Sequence, residues 1–312
     1  MKRLVFGLVV ASLVAGGVVW ATPGFMFVTT PLVEEWGPWN TPVNAGEPLN
    51  TPYNDMYAVL TRSQLIVYFT SDRPGGLGGD DLWRSTRASV DSPWDPPENL
   101  AALNSPYADS LPMLTTSGNV MYFFSDRPGG CGVGDLWQAQ RQPSTGIWGP
   151  PVNLGCVVNT IYVENAPAFY ASDDLGFATL YFGSNRPGGI GDFDVYQTTT
   201  TDEDLFNATW TPGVLVPELS SPGRDTRTFV RFDGLEIFIT SDRAGGTGGL
   251  DIWTATRESP SDPWSTPVNL GTPINSLAAE GSPTLTRRGN TMYFFSTRAG
   301  GYGGRDIWIS TR

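Results

Sequence analysis

The 312-residue chain contains no histidine, and its single lysine is Lys2. The first absence excludes His-based catalytic triads and His-ligated zinc sites, and the second excludes a P-loop lysine. Charge is scarce as well: 16% of residues are Asp, Glu, Lys or Arg, against about 25% in an average soluble domain. What charge there is runs acidic, with 19 basic residues against 31 acidic ones and a formal net charge of −12. An acidic chain without a basic stripe is a poor nucleic-acid binder. Cysteine occurs only as Cys131 and Cys156. Thiols with no histidine partner make poor nucleophiles, and the spacing leaves open whether the two are bridged. No amphipathic helical pattern emerges beyond residue 21. Glycine (37) and proline (26) are plentiful instead, which marks a chain of many turns.

The long apolar stretch at the start falls short of a membrane span. Lys2 and Arg3 precede an uncharged, mostly apolar run from Leu4 to Val19, and Val19-Trp20-Ala21 offers a small-residue cleavage site. This pattern predicts a signal peptide over 1–21, followed by an N-terminal extension over 22–38. Crossing a bilayer takes about 20 apolar residues, so no membrane span is expected after cleavage. The expected location is periplasmic or secreted, in a bacterium.

From residue 39 the chain repeats itself five times. An Arg follows an aromatic run and a Ser at Arg73, Arg127, Arg186, Arg243 and Arg298. Eight positions later comes an Asp: Asp81, Asp135, Asp194, Asp251 and Asp306. A tryptophan of W-x-x-P-V-N type recurs at Trp39, Trp94, Trp148, Trp210 and Trp264, and a carboxylate follows it at Asp55, Asp109, Glu164, Asp225 and Glu280. Each unit reads as four short strands: one after the carboxylate, one ending at Ser-x-Arg, one opening at the Asp, and the W-x-x-P-V-N segment. Units of roughly 54 residues built from four strands describe propeller blades. The repeat opens with a lone fourth strand and stops after a third strand. Pairing those ends closes the ring and removes two open sheet edges. The expected fold is therefore all-β, a single five-bladed β-propeller over 39–312, with Phe25–Thr30 as a candidate clip along one edge.

The recurring S-D-R-P-G-G-x-G-x-x-D-[LI]-W pattern, with its upstream acid and Ser-Pro, resembles the WD-like propeller repeats of the TolB type. The resemblance covers residues 39–312, although TolB itself has six blades and a further N-terminal domain. It implies an exported bacterial propeller that mediates protein contacts.

Residues needed once per blade are usually needed to build the blade. The tryptophan stripe accordingly reads as blade-to-blade packing. Each Arg is expected to sit between two carboxylates, forming structural clamps of Arg73 with Asp81, Arg127 with Asp135, Arg186 with Asp194, Arg243 with Asp251 and Arg298 with Asp306, completed by the acids upstream. A sharper reading makes Asp55, Asp109, Glu164, Asp225 and Glu280 an axial ring that binds a basic group or a cation, with calcium the candidate ion. No other cofactor is expected. Blade 3 breaks the symmetry with insertions carrying Asp173, Asp174, Asp202, Glu203 and Asp204, a solvated loop or a docking patch for a partner.

These readings favour a non-enzymatic recognition scaffold with a protein partner. The alternative is a glycoside hydrolase or glycan-binding propeller using axial carboxylates. A hydrolase needs two carboxylates in different environments, whereas the repeat places all five axial acids in the same one.

Overall fold

The structure, a computed structural model, describes residues 37–172 and 176–312. The signal peptide expected over 1–21, nearly all of the 22–38 extension with its candidate clip at Phe25–Thr30, and Asp173 and Asp174 lie outside the described residues. Residues 39–312 form one compact unit. It is an all-β propeller of five blades, each a sheet of four antiparallel strands.

Strand β1 (Val43–Asn44) comes first. Blade 1 contains β2 (Asp55–Leu60), β3 (Ile66–Ser71), β4 (Asp81–Thr86) and β5 (Glu98–Asn99). Blade 2 contains β6 (Asp109–Leu114), β7 (Val120–Ser125), β8 (Asp135–Gln140) and β9 (Val152–Asn153). Blade 3 is longer, with β10 (Glu164–Ser172), β11 (Phe177–Ser184), β12 (Asp194–Thr200) and β13 (Val214–Leu215). Blade 4 contains β14 (Asp225–Val230), β15 (Glu236–Ser241), β16 (Asp251–Thr256) and β17 (Val268–Asn269). Blade 5 supplies β18 (Glu280–Leu285), β19 (Thr291–Ser296) and β20 (Asp306–Thr311). Its fourth strand is β1, which pairs Val43 with Ile309 and Asn44 with Trp308 and so closes the ring. That pairing covers the edge of β20 and leaves blade 5 with four strands like the others.

The outer strand is shorter than the W-x-x-P-V-N segment suggests. Only two residues pair in each blade. In four blades a proline stands immediately before them (Pro42, Pro97, Pro151, Pro267), and a residue without an N–H cannot extend the ladder. The tryptophan just upstream packs between blades instead. Trp148 meets Tyr68 of blade 1 edge-on at 5.8 Å, Trp210 meets Tyr122 of blade 2 at 6.0 Å, and Trp264 meets Tyr181 of blade 3 at 6.4 Å. With the second-strand aromatics Phe69, Phe123, Phe182, Phe238 and Phe294, all buried, these rings make up the inter-blade core. Among the described residues no helix is long and apolar enough to cross a membrane.

The innermost strands share an irregularity that matters for the site. In every blade the first strand slips register against the second, between Met56 and Val59 in blade 1 and at the matching place in the others. The third residue of that strand lies at positive φ, and none of the five is glycine: Tyr57 (61°), Leu111 (60°), Ala166 (53°), Arg227 (51°) and Ser282 (53°). A β-bulge of this kind re-aims a side chain.

Candidate functional site

The upstream acid and the arginine of each repeat do meet. Arg73 Nη2 donates to Asp55 Oδ1 at 2.5 Å, and Arg243 Nη2 donates to Asp225 Oδ1 at 2.5 Å. Arg186 reaches Glu164 at 3.1 Å, Arg298 reaches Glu280 at 3.3 Å, and Arg127 pairs with Asp109. Each guanidinium also donates to the Ser two residues before it and to a backbone carbonyl of the incoming chain, such as Leu49 O for Arg73. The acid is saturated from its other side as well. Asp55 Oδ2 accepts from Thr51 N (2.6 Å) and Thr51 Oγ1 (2.7 Å), and Ser105, Thr160, Ser221 and Ser276 do the same in the other blades. A Ser or Thr four residues before each acid was the sequence signal for this lock.

The second carboxylate is not part of the clamp. Asp81, Asp135, Asp194, Asp251 and Asp306 make no ion pair with the arginines; each turns its carboxylate into the glycine turn. Asp81 Oδ2 accepts from Leu77 N at 2.6 Å, Asp135 from Cys131 N at 2.5 Å, and Asp306 from Tyr302 N at 2.5 Å. The Asn of the outer strand adds a donor at 3.1 Å in Asn44, Asn153 and Asn269. The backbone amides of a tight turn converge on one point, so these donors outcompete a cation farther away for the carboxylate. The fit leaves no room for a side chain, since a Cβ on Gly76 would stand 1.7 Å from Asp81 Oδ2. Burial pushes the carboxyl pKa values of Asp81 and Asp135 up, against the turn amides that lower them.

The axial ring therefore offers no open ligand site. Asp55, Asp109, Glu164, Asp225 and Glu280 are all fully buried and turned toward their arginines. Among the described residues no three His, Cys, Asp or Glu side chains converge to hold a metal ion. In blade 3, Asp202 and Asp204 fold their own loop: Asp202 Oδ2 accepts from Thr209 N at 2.6 Å, and Asp204 accepts from Asn207 Nδ2 at 2.7 Å. The Asn207 bond, joined by backbone amides, lowers the Asp204 pKa. Glu203 is exposed and lines a cavity of about 630 Å³ on the opposite face, shared with Phe169, Tyr170, Phe232, Asp233 and Arg287. Asp233 is surface-paired with Arg231 at 2.7 Å. Cys131 and Cys156 form a disulfide that ties the blade 2 turn to the chain after β9.

What the repeat hides lies on the axis, toward the glycine turns. The five bulged residues line a small axial cavity of about 30 Å³. Arg227 crosses from blade 4 and lays its guanidinium 4.1 Å from the Tyr57 ring of blade 1 and 5.6 Å from Phe295 of blade 5. Its bond to Ser282 Oγ is long, at 3.4 Å, and among the described residues no carboxylate forms an ion pair with it. The Arg227 side chain is half-buried. Burial lowers the Arg227 pKa and raises that of Tyr57.

Asp80, the residue just before β4, lies within electrostatic reach of Arg227 and Arg305. The matching positions in the other blades are Gly134, Phe193, Leu250 and Arg305, so nothing about the blade requires an acid there. Burial first, and then the charge of Asp72, pushes the Asp80 pKa up; Arg305 and Arg227 pull the other way and lose. Asp72 accepts from Asn54 N and Asn54 Nδ2, both at 2.7 Å. Asp126 and Asp242 make the same backbone bond in their blades, so Asp72 also braces its turn. The site thus holds one desolvated carboxyl beside a second, bonded carboxylate. That pairing of unlike environments is the one the five axial acids lack.

No family model matches this chain, and no curated protein matches it. Solved structures do. An endo-arabinase from Bacteroides thetaiotaomicron superposes with a TM-score of 0.60 at 14% identity, over 88% of this chain and 97% of that one. A GH43_1 enzyme from Xanthomonas citri in complex with xylose gives 0.55 at 17% identity, over 86% and 89%. An alpha-L-arabinofuranosidase from Podospora anserina in complex with cellotriose gives 0.52 at 12% identity, over 88% and 94%. The fold is similar to that of five-bladed glycoside hydrolases. These neighbours correct the resemblance to TolB-type WD-like repeats, which rested on a motif that the structure shows to be blade framework. They also overturn the expectation of a non-enzymatic scaffold with a protein partner, because the neighbours of this architecture are enzymes named with glycans bound.

Proposed function

We propose that the protein is a glycoside hydrolase working at the axial mouth on the glycine-turn face, with Asp80 as proton donor and Asp72 as its negatively charged partner. The observation that carries this reading is Asp80, a half-buried acid outside the repeat and within electrostatic reach of Asp72, Arg227 and Arg305. Gly134, Phe193, Leu250 and Arg305 hold its position in the other blades, and burial and the Asp72 charge raise its pKa. Hydrolysis of a glycosidic bond needs one carboxylic acid that holds its proton until the leaving oxygen takes it. A second carboxylate activates water or stabilises the positive charge on the sugar. Asp80 suits the first role and Asp72 the second. Arg305 stands across the mouth, where it can orient sugar hydroxyls without competing for the proton.

The fold adds support, since one solved neighbour is an endo-arabinase and another is a GH43_1 enzyme complexed with xylose. The signal-like N-terminus fits an exported enzyme, periplasmic or secreted, that meets polysaccharide outside the cytoplasm. The test is release of reducing ends from arabinan, xylan, cello-oligosaccharides and uronic-acid polymers by the purified protein, Asp80→Asn and Asp72→Asn. The expected result is turnover of at least one polymer, falling about 10²–10⁴-fold in Asp80→Asn. Turnover unaffected by either substitution would move the chemistry elsewhere, and no release from any polymer would remove the hydrolase reading.

A further inference from the structure

The axis holds a positive charge that the fold does not use. Five arginines brace the blades and each has a carboxylate partner. Arg227 is half-buried like them, and among the described residues no carboxylate forms an ion pair with it. A guanidinium carries five N–H donors in a planar fork. Here the protein offers it one long bond, to Ser282 Oγ at 3.4 Å, the Tyr57 ring 4.1 Å beneath it, and the nearby Tyr57 hydroxyl. Two further arginines, Arg224 and Arg305, add positive charge near Arg227; Arg224 pairs with Asp192 at 3.3 Å and stacks on Phe193 at 4.9 Å. A buried cation left short of acceptors destabilises a fold unless a ligand completes it. A further buried polar atom in the lining of this cavity, Thr228 Oγ1, also lacks a hydrogen-bond partner.

Arg227 sits at the bulge position shared by all five blades, at positive φ (51°), and that bulge directs its side chain to the axis. Thr240 helps to fix the bulge, donating from Oγ1 to Arg227 O and accepting from Ser282 N at 2.8 Å.

We propose that the axial mouth takes an acidic sugar, the carboxylate of a uronic acid residue entering the axial cavity to meet the fork of Arg227. This rests on the glycan reading and names its substrate class. The dimensions fit. A cavity of about 30 Å³ holds roughly two water-sized spheres, room for a carboxylate but not for a sugar ring. The ring therefore stays at the mouth, beside Asp80 and Arg305. A planar carboxylate matches the guanidinium in a two-bond geometry that no hydroxyl reproduces. Its negative charge also favours the protonated form of Asp80, the form a proton donor needs.

The experiment measures binding to the purified protein by thermal shift and calorimetry, with sodium glucuronate, glucose and sodium sulfate at matched ionic strength. It uses wild type, Arg227→Gln and Arg227→Lys, with circular dichroism to check the fold of each. The expected result is that glucuronate raises Tm while glucose and sulfate do so far less. Arg227→Gln should weaken glucuronate at least tenfold, and Arg227→Lys, which keeps the charge and loses the fork, should fall between. Glucose binding as tightly as glucuronate, sulfate matching glucuronate, or an Arg227→Gln protein that binds as wild type would each overturn the assignment. If Arg227→Gln does not fold, the wild-type comparison of glucuronate with glucose and the Arg227→Lys titration decide it alone. An intact, Arg227-dependent glucuronate response with no polymer cleaved would sink the hydrolase reading and leave the acidic-ligand site standing.

Discussion

Replacing Arg243 by alanine strips a fully buried carboxylate of its counter-ion. Asp225 has no solvent exposure, and Arg243 only 10%. The substitution removes the 2.5 Å ion pair, the bond from Arg243 Nε to Ser241 Oγ at 3.0 Å, and the bond from Nη2 to Leu219 O at 2.6 Å. Ser221 and Ser241 still donate to Asp225, so the acid keeps three hydrogen bonds but loses all nearby positive charge. Breaking a buried pair from one side costs about 3–5 kcal/mol. At about 2 °C per kcal/mol for a domain of this size, Tm should fall by about 6–10 °C. The control is Arg84→Ala, which breaks a pair with Glu98 whose side chains are 25% and 59% exposed. Exposed pairs contribute about 0–1 kcal/mol, so this variant should lose at most about 2 °C. Scanning calorimetry of the two proteins at one pH and salt concentration makes the comparison, with Asp225→Asn/Arg243→Ala closing the cycle. Equal losses in Arg243→Ala and Arg84→Ala would refute the argument that burial sets the strength of the clamps.

Three further outcomes are expected. The raised Asp80 pKa means that its contribution to stability is present in acid and is lost as pH rises through the folded-state value. Asp80→Asn, neutral throughout, should therefore melt higher than wild type at neutral pH and converge with it below the ordinary aspartate range, as a pH series of melts would show. The Cys131–Cys156 bridge closes a loop of 25 residues, so the double serine variant should lose about 3.5 kcal/mol by loop entropy, read as a lower denaturation midpoint. Gly76→Ala should disrupt the blade 1 turn and lower Tm by several degrees, because its Cβ would collide with Asp81. Gly79→Ala, with nothing within 4 Å, should stay within about 0.5 kcal/mol of wild type in the same melts.

The repeat made the architecture legible. Five copies of one strand pattern gave the blade number, and the unmatched ends gave the closure of β1 on β20. The partnership of Arg73 with Asp55 was legible for the same reason, since a hairpin places its two ends together. The role of Asp81 was not. Its spacing from the arginine is constant, but spacing across a glycine turn does not tell whether a carboxylate faces the cation or the turn amides. The axial site leaves no mark in the repeat. Reading the chain as a repeat favours what recurs, whereas Tyr57, Leu111, Ala166, Arg227 and Ser282 share a position and no chemistry. The bulge that directs them to the axis is a matter of register, which leaves little mark on composition. Asp80 was concealed in a run of Gly and Asp beside the recurrent Asp81, and its distinctness emerges only when Gly134, Phe193, Leu250 and Arg305 are seen to occupy the same place.

The central claim is that an unrepeated carboxyl at the axial mouth performs proton transfer on a glycan. The most direct measurement is the pH dependence of kcat/KM on whichever polymer the wild type cleaves, compared with Asp80→Asn and with Glu203→Gln on the opposite face. The account predicts activity that falls as pH rises through a pKa above the ordinary aspartate range, loss of that limb in Asp80→Asn, and an unchanged profile in Glu203→Gln. An Asp80→Asn enzyme with the wild-type profile, or activity abolished by Glu203→Gln alone, would contradict it.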